Sequence, residues 1–437
     1  MAVRRCALSW LKRLNVSSTS RVVALSSAVA FATQVAFALL MLRLFTPQEV
    51  GEFSVISQIG FFWMTLALAQ SQLGLLANQH QPAHIAAQHA WRASALRGLG
   101  LLPIAALAVW FSQLALWPAL LWALLLAFCQ MGWMLAQSFT LRAGSAWQQA
   151  AVRVLPPVTA AASALTAVLV GASLDWNGPT LLLSALLGYA VGAAWLVPAL
   201  RAREDAQPAH QDDTKTSNTT SQSDPRSAAL RMAHTLIDAL LATAIIVVWQ
   251  RLYGAEETGW MSALLRVLGF LPAVVHMAWA QVALAQSRHP TTTAWANPWW
   301  IGLGAFTCVI VLGLSCAVAL YQGWLDPRWH GVWPYIAPLV LWQGSACLSA
   351  AFSHRPFQTQ SASAYSWACM ALGVLQASVL LAPLGLANSV DAEQHMAAFA
   401  LVSAVGLLIL TGWMSQLRSR NTHANKHHLR SKKKSAI

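Results

Sequence analysis

Two ionisable residues lie inside long apolar stretches of this sequence, Arg266 and Asp238. An ionisable side chain in a membrane span costs about 2.5–3.5 kcal/mol on insertion scales, so it normally faces a cavity or a partner. Arg266 lies about seven residues into its stretch, or roughly 10 Å below the outer surface at about 1.5 Å per residue. This depth disfavours snorkelling, and we expect Arg266 to contact an anionic substrate. A buried structural pair, or hydrogen bonds to helix carbonyls, is the alternative.

Asp238 lies in the preceding apolar stretch, closer to its cytoplasmic end. A carboxylate there could bind a proton or a sodium ion and so couple transport to an ion gradient. It could also be a structural partner of His234 or of a neighbouring helix end. Glu52, close to the outer rim of its own stretch, is the second candidate for ion coupling.

The same short pattern occurs near the start of each half of the chain. Residues 43–54 and residues 251–262 share an Arg-Leu pair, an acid two positions before a glycine, that glycine and a serine. The ungapped alignment, once extended, places Gln58 opposite Arg266. Positions three and four apart share one helix face, so each copy predicts a polar stripe. The stripes are Gly51, Ser54 and Gln58 in the first copy, and Gly259, Ser262 and Arg266 in the second.

Two halves built alike in a membrane protein suggest a transporter, because such repeats can rock against each other around a shared central site. We therefore expect the two polar stripes to line a cavity between the halves. Gln34, in the first apolar stretch, is a further lining candidate. The predicted substrate contacts are thus Arg266, Gln58, Gln34, Ser54 and Ser262.

The composition indicates which elements carry these residues. The chain has 437 residues, 57% of them hydrophobic and only 9% charged, whereas soluble domains carry about 25% charged residues. At about 20 residues per membrane-spanning helix, we expect about twelve spans, six per half. Only a Trp117-Pro118 turn divides the third span from the fourth. The predicted spans are 22–44, 51–76, 94–116, 119–139, 152–171, 180–200, 232–249, 260–283, 300–321, 333–351, 362–381 and 396–415.

The predicted fold class is therefore all-α, a polytopic membrane protein with two six-helix bundles. Lys and Arg collect on alternate connections and in both tails, which places both termini in the cytoplasm. The net charge of +13 indicates membrane topology and contact with anionic membrane lipids, and not binding of nucleic acid. The expected domains are a cytoplasmic N-terminal segment (1–21), an N-terminal bundle (22–200), a cytoplasmic linker (201–227), a C-terminal bundle (228–416) and a basic cytoplasmic tail (417–437).

The sequence has no motif typical of an enzyme or of a metal site. The absence of a Walker-type GxxxxGK[ST] and of HExxH disfavours ATP-driven transport and zinc proteolysis. His80, His84 and His89 lie in a predicted cytoplasmic loop without a nearby acid or cysteine, which disfavours a metal cluster. The cysteines are interpreted as small packing residues. We expect no catalytic residue, no bound metal and no cofactor.

Two segments resemble a known family of transporters. "RLFTPQEVGEFSVISQIGFF" is similar to the hairpin between the first two helices of the polysaccharide flippases, the O-antigen, Wzx-type group of the multidrug/oligosaccharidyl-lipid/polysaccharide exporter superfamily. "RLYGAEETGWMSALLRVLGF" is similar to the hairpin between their seventh and eighth helices. The resemblance implies a MATE-like fold with a cavity lined by helices one, two, seven and eight. It also implies that Arg266 falls where a cation could meet a pyrophosphate group.

The function that this resemblance implies is transfer of a polyprenyl-pyrophosphate-linked oligosaccharide to the outer leaflet of a bacterial inner membrane. Such a protein would act in cell-surface polysaccharide biosynthesis, beside a glycan polymerase and glycosyltransferases. One alternative is a cation-coupled multidrug exporter on the same fold, which should show an acidic ion-binding cluster and an apolar cavity. The other is a membrane-embedded glycan polymerase or glycosyltransferase, which should show a large outside loop.

Overall fold

A computed structural model describes residues 18–69, 71–77, 81–174, 179–202, 225–280, 283, 297–359, 361–385 and 390–417. Every regular element in these ranges is helical, which confirms the all-α prediction. The predicted N-terminal segment, the cytoplasmic linker and the basic tail lie mostly outside the described residues, as does His80. The chain divides into two compact units, and each is built around its own buried residues.

Unit 1 comprises Met1–Phe45 and Glu52–Thr214. Within it α1 packs on α7, and α8 packs on both α6 and α7. Its helices are α1 Ser18–Leu44, α2 Pro47–Leu68, α3 Ser71–Ala77, α4 Ala83–Gly100, α5 Leu102–Phe111, α6 Leu116–Ala143, α7 Ala146–Leu174, α8 Thr180–Ala194 and α9 Val197–Arg201.

Unit 2 comprises Lys215–Ile437 together with Thr46–Gly51, the segment that begins α2. Within it α13 packs between α12 and α16, and α15 packs on α10. Its elements are α10 Pro225–Leu268, α11 Phe270–Val274, a π-helix Val275–Ala280, α12 Pro298–Tyr321, a 3-10 turn Pro327–Val332, α13 Trp333–Phe352, α14 Arg355–Gln358, α15 Ala362–Gly385 and α16 Ala392–Gln416.

Many of these helices are apolar around their whole circumference. In α12 only 17% of the most apolar window is buried inside the protein, so most of its apolar surface must face lipid. Eight helices in the described ranges are long and apolar enough to cross a membrane, or nine if α4 and α5, bent by 47° at their junction, form one span. The protein is therefore a multi-pass membrane protein, and the count of twelve spans stays a prediction.

The third and fourth predicted spans differ in detail from the structure. The turn between them lies at residues 112–115, where Gln113 has a φ of 62°, and Trp117-Pro118 lies in the first turn of α6. Proline is well tolerated there because the first amides of a helix need no intrahelical acceptor. The helix before the turn starts at Ala83, so His84 and His89 are helical, and the expectation of a loop at these two histidines was wrong.

Both copies of the repeat interrupt a helix at the same aligned position. In the first copy Thr46 separates α1 from α2, and Glu49 Oε2 accepts hydrogen bonds from Thr46 N (2.7 Å) and Thr46 Oγ1 (2.8 Å). With Glu49 N donating to Thr46 Oγ1 at 3.2 Å, this is a reciprocal capping box. In the second copy Gly254, at φ 87° and ψ −178°, breaks α10, and glycine adopts this backbone conformation most easily.

Candidate functional site

Unit 2 contains a cavity of about 710 Å³, here called the unit 2 cavity. Its walls come from the beginning of α10, the π-helix, the end of α13, the first half of α15 and the end of α16. Because α13 and α16 finish where α10 and α15 begin, the cavity lies at one end of the bundle. Its polar lining residues are His234, Thr235, Asp238, His276, Gln343, Ser349, Ser353, His354, Tyr365, Ser366, Cys369 and Gln376.

An ion pair on α10 forms one wall of the unit 2 cavity. His234 Nε2 lies 3.1 Å from Asp238 Oδ2, one helical turn apart, and their side chains are 19% and 60% exposed. A carboxylate that exposed in an apolar helix requires a polar surrounding, and Asp238 lines the cavity. The ring of Tyr365 packs edge-on against His234, with centroids 5.8 Å apart. The structure therefore shows the His234 partner that the sequence left as one of two alternatives for Asp238.

The opposite wall carries a second histidine on the π-helix. His276 Nδ1 lies 3.2 Å from Ser353 Oγ, and the Ser353 hydroxyl donates to Ala350 O at 2.8 Å. His276 Nδ1 is therefore bonded to Ser353, and Nε2 is the ring nitrogen left to take or release a proton. Short π-helical segments occur frequently at functional sites.

A third histidine, His354, follows the end of α13. Its residue is only 6% exposed, and its Nδ1 has no hydrogen-bond partner among the described residues. The ring of Trp279 packs edge-on against it at 6.1 Å, and Trp279 Nε1 donates to Ala351 O at 3.0 Å. A buried polar nitrogen without a partner is rare in proteins and is a site for a proton, a water or a ligand.

Sequence reasoning identified Asp238 and named His234, but it missed His276, His354 and Tyr365. The rule that drew attention to Asp238, a titratable group inside an apolar stretch, applies equally to His276, which lies in the predicted span 260–283. The sequence could not show that residues more than 100 positions apart, such as His234 on α10 and Tyr365 on α15, line one cavity.

A second polar cluster surrounds the break in α10, apart from the cavity lining. Tyr253 OH bonds to His395 Nδ1 at 2.9 Å, and His395 Nε2 lies 3.2 Å from Val379 O. The His395 ring stacks on Trp249 with centroids 4.8 Å apart, and Tyr335 OH donates to Glu257. The Glu257 carboxylate thus has a tyrosine partner on α13. The cluster fixes the turn of α10 that precedes Gly254.

The predicted substrate contacts occupy defined positions on their helices. Ser54 on α2 and Ser262 on α10 are each 2% exposed, and Ser262 Oγ donates to Gly259 O at 3.3 Å. Arg266 lies near the end of α10 and is partly exposed, as are Gln58 and Glu52 on α2, whereas Gln34 on α1 is exposed. Their contacts with a substrate or an ion stay predictions.

No family model and no curated protein sequence matches this chain. Solved structures do match it. Over 90% of this chain and 87% of the other, the fold is similar to the structure described as lipid II flippase MurJ in an inward closed conformation, with a TM-score of 0.62 at 9% sequence identity. At that identity the likeness shows the fold, and it confirms the architecture expected from the sequence.

Two further structures match at lower similarity. One is an inward-facing multidrug resistance MATE family transporter of the MOP superfamily, with a TM-score of 0.43 at 11% identity over 92% of this chain and 95% of the other. The other is the MATE transporter ClbM in complex with Rb⁺, with a TM-score of 0.37 at 14% identity over 92% and 93%.

Proposed function

We propose that this protein is a transporter that flips a polyprenyl-pyrophosphate-linked oligosaccharide across a bacterial inner membrane by alternating access. The flipped glycan would then enter cell-surface polysaccharide biosynthesis, such as O-antigen and lipopolysaccharide assembly. The observation that carries the proposal is the whole-chain likeness to the fold of a lipid II flippase. The sequence resemblance of the two repeat copies to polysaccharide flippases supports the same substrate class.

The proposed substrate contact is electrostatic. A pyrophosphate is strongly anionic and binds a guanidinium through charge-assisted hydrogen bonds. Arg266 is partly exposed on an otherwise apolar stretch of α10, so an anionic group can reach its guanidinium. Gln58, Gln34, Ser54 and Ser262 would contact the sugar hydroxyls, and the lipid tail would stay in the bilayer. Membrane lipids and the enzymes that build and polymerise the glycan are the proposed partners, with both termini in the cytoplasm.

The proposed energy source is an ion gradient acting on Asp238. Asp238 combines a 60% exposed carboxylate with a position on the wall of the unit 2 cavity, so an ion can reach it without crossing the packed core. Glu52, partly exposed on α2, is the second proposed site. Binding or release of an ion at a helix of the bundle would bias one of two conformations, as alternating access requires.

The Arg266→Ala variant, expressed in the bacterium that makes the glycan, tests the proposed contact of Arg266 with the pyrophosphate. We expect loss of surface glycan with unchanged amounts of the protein in the membrane fraction. Arg251→Ala is the matched control, because it removes the same charge from an exposed position of the same helix and should leave glycan display intact. Normal display in the Arg266→Ala strain would remove the proposed role of this residue.

A further inference from the structure

We propose that the ion bound at Asp238 is a proton, held by the His234–Asp238 pair and exchanged through the unit 2 cavity. This inference rests on the proposed transport function and names its coupling ion. It is carried by the grouping of three histidines and one carboxylate around a single cavity of about 710 Å³.

The contacts of His234 favour its protonated form. The Asp238 carboxylate lies 3.1 Å from Nε2, so an imidazolium there gains a charge-assisted hydrogen bond. Histidine is the side chain that gains and loses a proton near neutral pH. The pair is thus a proton acceptor whose protonated form is stabilised by the Asp238 carboxylate.

The described lining of the cavity offers one carboxylate to a hard cation. Such cations take several oxygen ligands, carboxylates above all, and Asp238 is the single acid among the lining residues that the structure describes. Two polar side chains of the lining already have hydrogen-bond partners. Ser353 is bonded to Ala350 and His276, and Gln376 donates to Ser403 Oγ at 2.8 Å. The described residues contain no group of three or more His, Cys, Asp or Glu able to hold a metal ion.

The other histidines extend the site along the cavity wall. His276 keeps Nε2 available for a proton, since its Nδ1 is engaged by Ser353. His354 Nδ1 is buried and has no hydrogen-bond partner in the described part of the chain. A cavity of this volume admits several water molecules, each of which takes about 30 Å³ in the liquid. Water and imidazole together provide a route for protons between the His234–Asp238 pair and the end of the bundle.

The other titratable and charged groups around the His234–Asp238 pair are compatible with a bound proton. From α15 the phenol of Tyr365 and the thiol of Cys369 face the cavity. The lining residues from α16 are the apolar Leu407 and Leu410. On α14 the Arg355 guanidinium donates to the carbonyl of Ser415, and Arg355 is not among the described residues that line the cavity.

Protonation changes the charge that the bundle must accommodate. Without the proton the pair carries the full negative charge of Asp238 and needs water around it. With the proton the pair is a neutral ion pair, which can be closed off from water at a smaller cost. Loading and release of a proton therefore favour different conformations of the cavity.

Difference titration of the purified protein tests the proposal without any transported substrate. Between about pH 5 and pH 11 wild-type protein should release about one proton more than His234→Gln, because the imidazolium beside Asp238 loses its proton only above the ordinary histidine range. Asp238→Asn should keep this proton but release it at lower pH, because its stabilising charge is gone. Replacing choline chloride by sodium chloride at equal ionic strength should leave the wild-type curve unchanged.

Two results would overturn the assignment. One is an identical proton count for wild type and His234→Gln when both variants are folded, as judged by gel filtration and circular dichroism. The other is release of the proton by sodium ions, which would make Asp238 a sodium site. In proteoliposomes containing a fluorescent polyprenyl-pyrophosphate-linked sugar, a pH gradient and not a sodium gradient should drive flipping. If the wild type flips none of this probe, the transport function fails while the titration still decides the identity of the ion.

Discussion

Gly51 and Gly259, the aligned glycines of the repeat, meet where α2 begins and α10 continues past its break. A Cβ added to Gly51 would lie 3.0 Å from the backbone nitrogen of Gly259 and would clash with the carbonyl oxygen of Ala255. A Cβ on Gly259 would clash with the carbonyl oxygen of Pro47. In the repeat alignment Pro47 corresponds to Ala255, so the contact is reciprocal. Residues 47–51 and 255–259 therefore pack against each other within unit 2.

This contact predicts that neither glycine can be replaced. Gly51→Ala or Gly259→Ala must push two helix backbones apart, because the atoms that a methyl group would meet belong to the main chain. Overpacking of this kind typically costs about 1–3 kcal/mol, and we expect a lower thermal unfolding midpoint in detergent. The control is Gly304→Ala in α12, where an added Cβ meets open space and should be neutral or slightly stabilising. Equal midpoints for all three variants and wild type would show that the contact is loose.

The capping box at the start of α2 predicts a second stability effect. Thr46→Ala removes the side chain that accepts from Glu49 N and one of the two donors to Glu49 Oε2. Loss of an N-cap costs about 0.5–2 kcal/mol, and Thr46→Ser should restore most of it. Urea or heat unfolding followed by circular dichroism measures the difference. A Thr46→Ala protein as stable as the serine variant would show that the hydrogen bonds of the capping box contribute nothing to the free energy of unfolding.

The cluster before Gly254 predicts a specific cost for losing one hydroxyl. Tyr253→Phe leaves His395 Nδ1 without its 2.9 Å partner, although His395 is only 3% exposed. An unsatisfied buried group costs about 1–3 kcal/mol, so the variant should unfold at a lower temperature. Tyr321→Phe, at a side chain that is 83% exposed, should behave as wild type. A Tyr253→Phe protein indistinguishable from Tyr321→Phe would mean that the imidazole finds another partner.

Local features of the fold were predictable from the sequence, and long-range ones were not. The ends of α12 and α16 follow from where the apolar residues stop, and the breaks at Thr46 and Gly254 coincide in the repeat alignment. The start of α4 at Ala83 was missed because its first turns are too polar to register as a span. The bond between Tyr335 and Glu257 joins positions that no local pattern connects, and the sequence therefore gave no sign of it.

In the candidate site, too, local features were predictable from the sequence and long-range contacts were not. Asp238 was identifiable because a lone carboxylate in an apolar stretch is costly, and His234 because it lies one turn away on the same helix. His276 and His354 could not be connected to them, since their meeting depends on how α13 and the π-helix pack. The part played by Arg266 rests on the chemistry of a guanidinium near a pyrophosphate and is still to be tested.

The most direct test of the proposed function measures flipping in vesicles that contain the purified protein and a fluorescent polyprenyl-pyrophosphate-linked oligosaccharide. A quencher that cannot cross the membrane reports how much of the probe moves between leaflets. We expect rapid movement of the probe between leaflets with wild type and with Arg251→Ala. With Arg266→Ala the movement should be close to that in protein-free vesicles. Wild-type vesicles no faster than protein-free ones, or full activity of Arg266→Ala, would contradict this expectation.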